Sequence, residues 1–270
     1  MDYKLRDKIA VVTGAGGGIG SAIARGFCRE GCRTVFTDLN ADGLKKAVRG
    51  CGDRAAAIGC DVSSLGSVRR LFAEVSEKFG ALHILVNTAA VNTADWVQEI
   101  REEELQKIID VNIKGYIYTT MEAVGLMRGC GFGRLIYINS GSGLKASAGL
   151  PLYSASKYFN RGFAISVALE TGKYNITANS ICPSDVYPEQ NAPDGLTASS
   201  WKNEDLVRIS LQKAGVSSLE ELKQKRIASN PMKRACTRGD ITELALFLAS
   251  ESAGYINGQS IGLNGGGLPY

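Results

Sequence analysis

The sequence predicts an α/β fold in which a parallel sheet is covered by helices on both faces. Short, nearly continuous apolar runs alternate with longer amphipathic stretches along most of the chain, and strands with this composition are buried on both faces of a sheet. A glycine-rich segment, residues 13–20, separates the first apolar run from the first amphipathic stretch. The length of 270 residues suits one large α/β domain, which we expect to span residues 1–270.

The individual elements follow from this alternation and from local stop and start signals. Gly31 is placed to end the first helix, and Asp240 with Glu243 predicts a capping box at the start of the last one. The predicted strands are residues 9–12, 34–37, 55–60, 84–86, 135–139, 176–181 and 260–263. The predicted helices of the main alternation are residues 19–30, 67–79, 102–127, 154–171 and 240–249.

The stretch from Pro183 to Pro231 interrupts this rhythm because it contains no strand pattern. Two helices are predicted within it, at residues 203–214, ended by Gly215, and at residues 218–229, where Ser218 and Glu221 form a capping-box pattern. We therefore expect a small helical lobe at about residues 187–231, inserted before the last helix and strand. Long excursions between core strands usually carry function, so this lobe is expected to bind the substrate.

Composition argues against several classes of protein. The net charge is +4 and the basic residues are spread along the chain, which gives no support to nucleic-acid binding. The seven cysteines form no C-x-x-C pair, so we expect reduced thiols and neither a disulfide framework nor a metal site. The single histidine, His83, opens an apolar run and is expected at a strand start, which leaves little room for a Ser-His-Asp triad. There is no apolar signal region and no membrane-length apolar window, so a cytoplasmic protein without membrane contact is expected.

The glycine-rich segment Thr13–Gly20 is typical of a dinucleotide site. Glycine permits a tight turn and a close approach of the backbone to a pyrophosphate, and the N-terminus of the following helix offers free N–H groups to that anion. The strand–loop–helix context is what distinguishes such a fingerprint from a flexible turn. The predicted contacts in this segment are Gly14, Gly17, Gly18 and Ile19.

Asp38 ends the second predicted strand, 18 residues after Gly20. A carboxylate at this place accepts hydrogen bonds from both ribose hydroxyls of NAD and repels a 2′-phosphate. Leu39 follows it, so no adjacent arginine is available to hold that phosphate, and NAD is favoured over NADP. The alternative is that Asp38 merely caps the helix that begins near Ala41.

Tyr153 and Lys157 lie four residues apart within a predicted helix, with Ser140 thirteen residues before the tyrosine. Positions i and i+4 share one helix face, so the ammonium should lie near the phenol. A nearby positive charge favours the ionised form of a phenol, whose ordinary pKa is about 10. Such a tyrosine exchanges a proton with an alcohol or carbonyl, which suggests an enzyme that moves a hydride and a proton together. The alternative is an ordinary helix that happens to carry both residues.

Together these segments resemble the short-chain dehydrogenase/reductase family over nearly the whole chain. Thr13–Gly20 resembles its T-G-x-x-x-G-x-G loop, and Ser140, Tyr153 and Lys157 have the spacing of its active-site residues. Further matching segments are Cys60-Asp61-Val62, Asn87-Thr88-Ala89-Ala90, Val111-Asn112, Asn179-Ser180-Ile181-Cys182-Pro183 and residues 255–266. Departures from the family pattern at Thr88, Ala90, Ser184, Pro188 and Asn264 leave the active-site residues intact.

The resemblance implies a Rossmann-type, doubly wound sheet of seven strands and a role for each active-site residue. Tyr153 would be the general acid and base, Ser140 would hydrogen-bond the substrate oxygen, and Lys157 would lower the tyrosine pKa and hold the nicotinamide ribose. Asn112 would anchor a water in a proton relay. The implied cofactor contacts also include Leu39, Asp61, Val62, Asn87, Ala89, Tyr153, Lys157, Pro183 and Val186. The family further implies a homo-oligomer, in most members a tetramer.

The substrate is less specified by the sequence. Residues 133–143, 214–222 and 230–236 are similar to polyol and sugar dehydrogenases of the family, of the sorbitol-6-phosphate 2-dehydrogenase type. Lys145, Lys233 and Arg234 are expected near the cleft, where cations would hold an anionic substrate, although such an excess is also typical of a solvated surface. Ser140, Ser142, Lys145 and Tyr153 are the predicted substrate contacts. Trp96 lines the pocket or, as is more usual for such a residue, packs within the fold.

The resulting prediction is an NAD-dependent oxidoreductase that acts on a secondary alcohol, which is a sugar, a polyol or a related small hydroxy compound, neutral or anionic. One alternative is a reductase of lipophilic or acyl-carrier ketones, against which Asp38 argues because such biosynthetic enzymes usually use NADP. The other is a non-catalytic dinucleotide-binding regulator, against which the complete set of Asn112, Ser140, Tyr153 and Lys157 argues.

Overall fold

A computed structural model describes residues 2–188, 195–196 and 200–268. Within these residues the strands form one parallel seven-stranded sheet with the order β3-β2-β1-β4-β5-β6-β7. The strands are β1 Ile9–Thr13, β2 Arg33–Asp38, β3 Ala55–Gly59, β4 Ile84–Asn87, β5 Gly133–Ile138, β6 Ile176–Pro183 and β7 Ser260–Leu263. The predicted fold is therefore confirmed. The strand order reverses between β1 and β4, and such a reversal opens a crevice at the carboxyl ends of the strands.

Nine α-helices accompany the sheet in the described part of the chain. They are α1 Gly18–Arg29, α2 Ala41–Ala47, α3 Leu65–Phe79, α4 Glu102–Ile108, α5 Gly115–Cys130, α6 Pro151–Thr171, α7 Glu204–Ala214, α8 Leu219–Ser229 and α9 Arg238–Ala249. The continuous helix predicted over residues 102–127 is wrong, because a π-helical segment, Ile109–Lys114, separates α4 from α5.

The core lies on both faces of the sheet, because alternate residues of each strand point to opposite sides. On one face, Val12 and Phe36 pack with Phe27 of α1 and Leu246 of α9. On the other face, Val11, Val35 and Leu85 pack with residues of α3, α5 and α6, among them Phe72, Tyr116 and Ala164. This double burial explains why the strands read as continuous apolar runs rather than as alternating ones.

Two helix starts differ from their predicted capping. Helix α9 begins at Arg238, two residues before the predicted start, since Thr237 Oγ1 accepts from the Asp240 amide at 3.0 Å and the Asp240 carboxylate accepts from the Thr237 amide at 2.8 Å. Asp240 is thus the N3 residue of that box and not its N-cap. At α8, Ser218 Oγ accepts from the Glu221 amide as predicted, but the Glu221 carboxylate accepts from Ser217 and not from Ser218.

The helical lobe contains α7 and α8, and two small apolar clusters hold these helices in place. Tyr187 stacks on Trp201 with 5.1 Å between ring centroids, and both pack with Leu222 of α8. Ala94, Leu206 and Ile209 form a second cluster that Trp96 joins, so this tryptophan packs within the fold and does not line the cleft. The lobe segments 189–194 and 197–199 lie outside the described residues.

His83 lies at the start of β4, where its Nδ1 accepts from the amide of Ile9 at 3.0 Å, so its role is structural.

The seven cysteines are free thiols. In the described part of the chain, no helix has the length and apolar character that a membrane crossing requires. The same residues hold no group of three or more His, Cys, Asp or Glu side chains arranged for a metal ion.

Candidate active site

One cleft of about 940 Å³ runs along the carboxyl ends of the strands. Its lining contains the glycine loop and Asp38 at one end, Ser140, Tyr153 and Lys157 in the middle, and residues of the helical lobe at the other end. Of the predicted cofactor contacts, the cleft lining includes Gly14, Gly17, Gly18, Ile19, Asp38, Leu39, Asp61, Val62, Ala89, Tyr153, Lys157, Pro183 and Val186.

The glycine loop is shaped by close approaches of backbone to backbone. Gly14 has a φ of +66°, and a Cβ added there would lie 2.8 Å from the amide nitrogen of Ala89. A Cβ on Gly20 would overlap the carbonyl oxygen of Gly14, so α1 can begin close under the loop only with glycine at that position. Gly17 precedes α1 without any side-chain cap, which leaves the first N–H groups of this helix facing the cleft.

Asp38 and the start of α2 lie beside the glycine loop at the same end of the cleft. Asp38 Oδ2 accepts from the amide of Gly16 at 3.0 Å and Oδ1 accepts from the amide of Asn40 at 2.8 Å. The N-cap of α2 is Asn40, whose Oδ1 accepts from the amide of Gly43 at 3.0 Å. The alternative in which Asp38 caps this helix is therefore wrong, and its carboxylate lines the cleft next to the exposed side chain of Leu39.

Asn87 differs from its predicted position on the cleft surface. It is buried at the end of β4, where its Oδ1 accepts from Thr119 Oγ1 of α5 at 2.8 Å, and it is absent from the cleft lining. The amides of Thr88 and Ala89, just after it, donate to Thr13 Oγ1 at 3.1 and 3.2 Å. Asn87 and Thr13 thus hold the end of β4 in place beside the glycine loop, and the cleft wall here is formed by Thr88 and Ala89.

Tyr153 and Lys157 lie one turn apart in α6, as their spacing predicts. The Lys157 side chain is buried, with its Nζ donating to the carbonyl of Ile138 at 3.2 Å and lying 5.5 Å from the centroid of the Tyr153 ring. Ser140 follows β5, and Asn139 ties this loop to α6, because its Nδ2 donates to the carbonyl of Lys157 at 3.1 Å and its Oδ1 accepts from the amide of Ser140 at 3.0 Å. Ser140, Tyr153 and Lys157 therefore lie together in the middle of the cleft.

Asn112 lies in the π-helical segment and is completely buried, outside the cleft lining. Its Oδ1 accepts from the amide of Val91 at 2.8 Å, and its Nδ2 donates to the carbonyl of Val91 at 2.9 Å and to Ser156 Oγ at 3.1 Å. Ser156 Oγ in turn donates to the carbonyl of Tyr153 at 2.7 Å. These contacts link the π-helical segment, the loop after β4 and the first turns of α6, so the side chain of Asn112 acts on Tyr153 through other residues.

The pKa of Tyr153 shifts in the direction opposite to the predicted one. Burial raises the pKa of Tyr153 above its ordinary value, and the hydroxyl of Ser140 opposes this rise. Burial also lowers the pKa of Lys157, to about 8. The sequence predicts the opposite for Tyr153, since the nearby ammonium of Lys157 favours a tyrosine pKa below its ordinary value. Among the protein's own groups, desolvation is the largest contribution to the pKa of Tyr153, because this side chain is half-buried beside the buried Lys157 and its charged form loses hydration.

The basic residues at the substrate end are partly different from those predicted. Ser142 and Lys145 line the cleft, but Lys233 and Arg234 do not. Arg234 pairs with Asp240 at 2.6 and 2.8 Å, and Lys233 Nζ donates to the carbonyl of Ala228 at 2.7 Å. The cations that join Lys145 on the cleft are Lys202, Lys213 and Arg226. Nothing in the sequence distinguishes these from the other lobe cations, since the orientation of α7 and α8 depends on tertiary packing.

Asn92 is a further cleft residue that the sequence did not reveal. It follows Val91, the residue clamped by Asn112, and its Oδ1 is buried without a hydrogen-bond partner among the described residues. Its backbone carbonyl accepts from Asn203 Nδ2 at 2.8 Å, which anchors the start of α7. A buried acceptor that lacks a hydrogen-bond partner is costly, and among the described residues no donor faces Asn92 Oδ1.

Comparison with known proteins agrees with this geometry. Residues 8–196 match the family model described as short chain dehydrogenase, and residues 205–267 match a model described as Enoyl-(Acyl carrier protein) reductase. The chain is 30% identical to D-beta-hydroxybutyrate dehydrogenase of Rhizobium meliloti (strain 1021), over 96% of this chain and 98% of that protein. It is 31% identical to galactitol 2-dehydrogenase of Agrobacterium fabrum (strain C58), over 97% of this chain and 98% of that protein.

Among solved structures, an NAD+-bound xylitol dehydrogenase superposes with a TM-score of 0.86 at 26% sequence identity, covering 97% of this chain and all of that chain. The likeness therefore extends over the sheet, the cleft and the helical lobe alike. Since the first family model alone matches more than half of the chain, and the named relatives are dehydrogenases of hydroxyl groups, the protein belongs to the short-chain dehydrogenase family and is an oxidoreductase.

Proposed function

We propose that this protein oxidises a small secondary alcohol, a polyol, a sugar or a related hydroxy compound, with NAD as the hydride acceptor, and that it also catalyses the reverse reaction. The observation that carries the proposal is the convergence of Ser140, Tyr153 and Lys157 in the middle of a cleft whose other end presents the glycine loop and Asp38. The relatives named for galactitol and hydroxybutyrate support a small hydroxylated substrate.

The residues of the cleft fit a dinucleotide. The uncapped N-terminus of α1 at Gly17 suits a pyrophosphate, and the backbone approach at Gly14 leaves the space that a side chain would fill. Asp38 presents a carboxylate where ribose hydroxyls need an acceptor, while Tyr153 and Lys157 would border the nicotinamide end. When bound, the dinucleotide supplies the acceptor for the hydride that leaves the alcohol carbon.

The chain's own residues handle the proton. In the proposed mechanism the Tyr153 oxygen, as phenolate, removes the hydroxyl proton of the alcohol, and Ser140 donates a hydrogen bond to the same substrate oxygen. Lys157 stabilises the phenolate electrostatically from one turn away. Asn112, through Ser156, keeps the first turns of α6 in register with the loop after β4. In the reduction direction the Tyr153 hydroxyl returns the proton to the carbonyl oxygen.

Replacement of Asp38 tests the choice of cofactor. Asp38→Ser is expected to lower kcat/KM for NAD by at least about tenfold, because one charged acceptor of the ribose hydroxyls is lost. The same change should raise kcat/KM for NADP, since the repulsion of a 2′-phosphate disappears. Initial rates with both cofactors measure this ratio. Asp42→Ser is the matched control, because Asp42 also lines this end of the cleft but pairs with Lys45 on the surface. Equal effects of the two substitutions would overturn the assignment of Asp38.

The reductase alternative has one observation in its favour, which is the match of residues 205–267 to the acyl-carrier reductase model. The lobe end of the cleft argues against it, because Lys145, Lys202, Lys213 and Arg226 line a surface that an acyl chain would desolvate. A non-catalytic regulator would not need the buried Lys157, whose burial costs stability.

We also propose that the protein is a cytoplasmic homotetramer in which α5 and α6 of neighbouring subunits pack together. Met121 of α5 and Phe159, Ile165 and Leu169 of α6 are exposed apolar side chains, and Leu169 is 82% exposed. Clusters of exposed apolar side chains mark association surfaces. Sedimentation velocity is expected to give a tetramer that Ile165→Glu with Leu169→Glu dissociates. A wild-type monomer would contradict the proposal.

A further inference from the structure

The lobe end of the cleft carries an excess of positive charge. Its lining among the described residues contains four cations, Lys145, Lys202, Lys213 and Arg226, and one acid, Asp185. Asp185 Oδ2 accepts from Arg226 Nη1 at 2.8 Å, so this carboxylate is already paired with one of the four cations. In the described part of the chain, none of the three lysines forms an ion pair.

Lys213 is held in place by neutral groups only. Its Nζ donates to Ser147 Oγ and to the carbonyl of Ala148, both at 2.7 Å. An ammonium has three protons to donate, so one donor remains for a ligand. Ser147 and Ala148 lie in the segment between Ser140 and Tyr153, so Lys213 joins helix α7 to the segment that carries both candidate catalytic residues.

Lys213 and Arg226 act on each other as like charges. The pKa of Lys213 is lowered by partial burial and, in addition, by the positive charge of Arg226. Arg226 also lies over the ring of Trp201, with 5.4 Å to its centroid, which orients the guanidinium on the lobe. Two cations placed near each other on one cleft wall repel, and a bound anion removes this repulsion.

The competing explanation is that these cations are simply solvated, since Lys145, Lys202 and Lys213 are exposed. Isolated surface cations have no fixed orientation and few hydrogen bonds. Lys213 and Arg226 differ from that description, because each is held by hydrogen bonds to groups of the cleft wall. Oriented donors of one charge sign on a wall shared with Tyr153 are typical of a binding site for the opposite charge.

We infer that the alcohol substrate carries a fixed anionic group, a carboxylate, a phosphate or a sulfonate, which binds at Lys213 and Arg226 on the lobe end of the cleft. This inference rests on the proposed function, and it adds the charge class of the substrate and the residues that select it. Lys145 and Lys202 contribute a favourable field at the cleft mouth, which speeds the entry of such an anion.

Paired substrates test the inference. NADH formation by the full-length protein is compared for butane-1,3-diol and 3-hydroxybutyrate, glycerol and 2,3-dihydroxypropane-1-sulfonate, and sorbitol and sorbitol 6-phosphate. At least one anionic member is expected to exceed its neutral partner in kcat/KM by about 100-fold, and which pair shows this identifies the anionic group. Similar values within every pair would overturn the inference.

Two variants assign the effect to residues. Lys213→Gln is expected to lower kcat/KM for the preferred anionic substrate by about 10- to 50-fold and to change that for its neutral partner by less than threefold. Arg226→Lys, which keeps the charge and the Asp185 partner, should lose less. Arg208→Gln is the matched control, because Arg208 lies on the same helix and pairs with Asp205 on the outer surface. Equal losses for both members of a pair would show a merely structural Lys213.

A binding measurement separates this inference from the proposed function. Thermal unfolding of the NADH-saturated protein is followed with sodium sulfate or sodium chloride at equal ionic strength. The inference predicts that sulfate raises Tm of the wild type more than chloride does and that Lys213→Gln removes this difference. If no alcohol is oxidised but the sulfate effect depends on Lys213, the proposed substrate range fails and the anion site stands. If polyols are oxidised and sulfate has no specific effect, the dehydrogenase stands and the anion site fails.

Discussion

Tyr153→Phe is expected to lower kcat for alcohol oxidation by at least about 1,000-fold, within the range attributed to a positioned general base. The substitution removes one oxygen atom from a side chain that otherwise fills the same space between α6 and the cleft. Because the glycine loop and Asp38 are distant from this atom along the cleft, NADH binding is expected to remain within about threefold. Turnover and fluorescence titration with NADH measure the two quantities separately.

Tyr158→Phe is the control for this experiment. Tyr158 lies on the same helix, five residues further on, and its hydroxyl donates to the carbonyl of Leu144 at 2.9 Å on an exposed surface. Its removal should leave kcat within about twofold. Unchanged turnover in Tyr153→Phe would contradict the proposed mechanism. A joint loss of turnover and NADH binding would indicate a structural role for the phenol.

The pH profile of the wild type should reflect the same residue. Tyr153 must lose its proton to accept one from the alcohol, so the oxidation rate rises with pH. Burial raises its pKa, which moves this rise towards alkaline pH, and a bound nicotinamide cation would move it back. The reduction rate should show the opposite slope. Profiles of kcat/KM between about pH 6 and 10 in both directions are the measurement, and parallel slopes in the two directions would contradict the assignment.

Lys157→Met is expected to abolish activity and at the same time to stabilise the fold at neutral pH. The pKa of Lys157 is about 8 in the folded protein against an ordinary value of 10.5. At pH 7 the side chain is protonated in both the folded and the unfolded chain, so the folded state bears the full cost of the buried charge, roughly 3 kcal/mol. Methionine fills a similar volume without this charge.

The gain is reduced by the lost hydrogen bond to the carbonyl of Ile138, worth about 1 kcal/mol. A net stabilisation of about 2 kcal/mol corresponds to a rise in Tm of several degrees for a protein of this size. The sign with pH follows from the two pKa values. Because the unfolded chain binds more protons between about pH 8 and 10.5, wild-type stability gains with pH in that window, whereas the variant lacks this contribution.

Thermal unfolding at pH 7 and pH 10 checks this prediction, with Lys173→Met as an exposed control that should change Tm little. The difference between Lys157→Met and wild type should shrink at pH 10. A variant that melts below wild type at pH 7 would show that the hydrogen bonding of Lys157 outweighs its desolvation. The expected outcome would mean that the fold tolerates an unfavourable buried cation because the reaction requires it.

Residues 9–12 and 84–86 show which features of the fold can be predicted from the local sequence. Their unbroken apolar composition requires burial on both faces, and this requirement already implies a parallel sheet between two helical layers. The spacing of Tyr153 and Lys157 likewise predicts their proximity, because a helix brings positions i and i+4 together wherever it lies. The glycine pattern after the first strand predicts the loop for the same local reason, as Gly14 and Gly20 confirm by their backbone contacts.

Other features depend on partners far away in the sequence. The π-helical segment at Asn112 interrupts a helical pattern of residues that looks continuous, because the side chain is held by Val91 and Ser156. Asn87 turns away from the cleft towards Thr119 of α5. The choice of Lys213 and Arg226, rather than Lys233 and Arg234, as cleft cations depends on how α7 and α8 pack on Tyr187 and Trp201.

The sequence by itself thus determined the α/β class, the strand–loop–helix at the glycine segment, Asp38 at the end of β2 and the Tyr153–Lys157 pair, because periodicity and short spacings control them. Only the tertiary structure decided which charges face the cleft, where Asn112 acts, and that burial raises the pKa of Tyr153 and lowers that of Lys157. Desolvation and long-range hydrogen bonds are properties of the packed chain, so a local pattern of residues does not predict them.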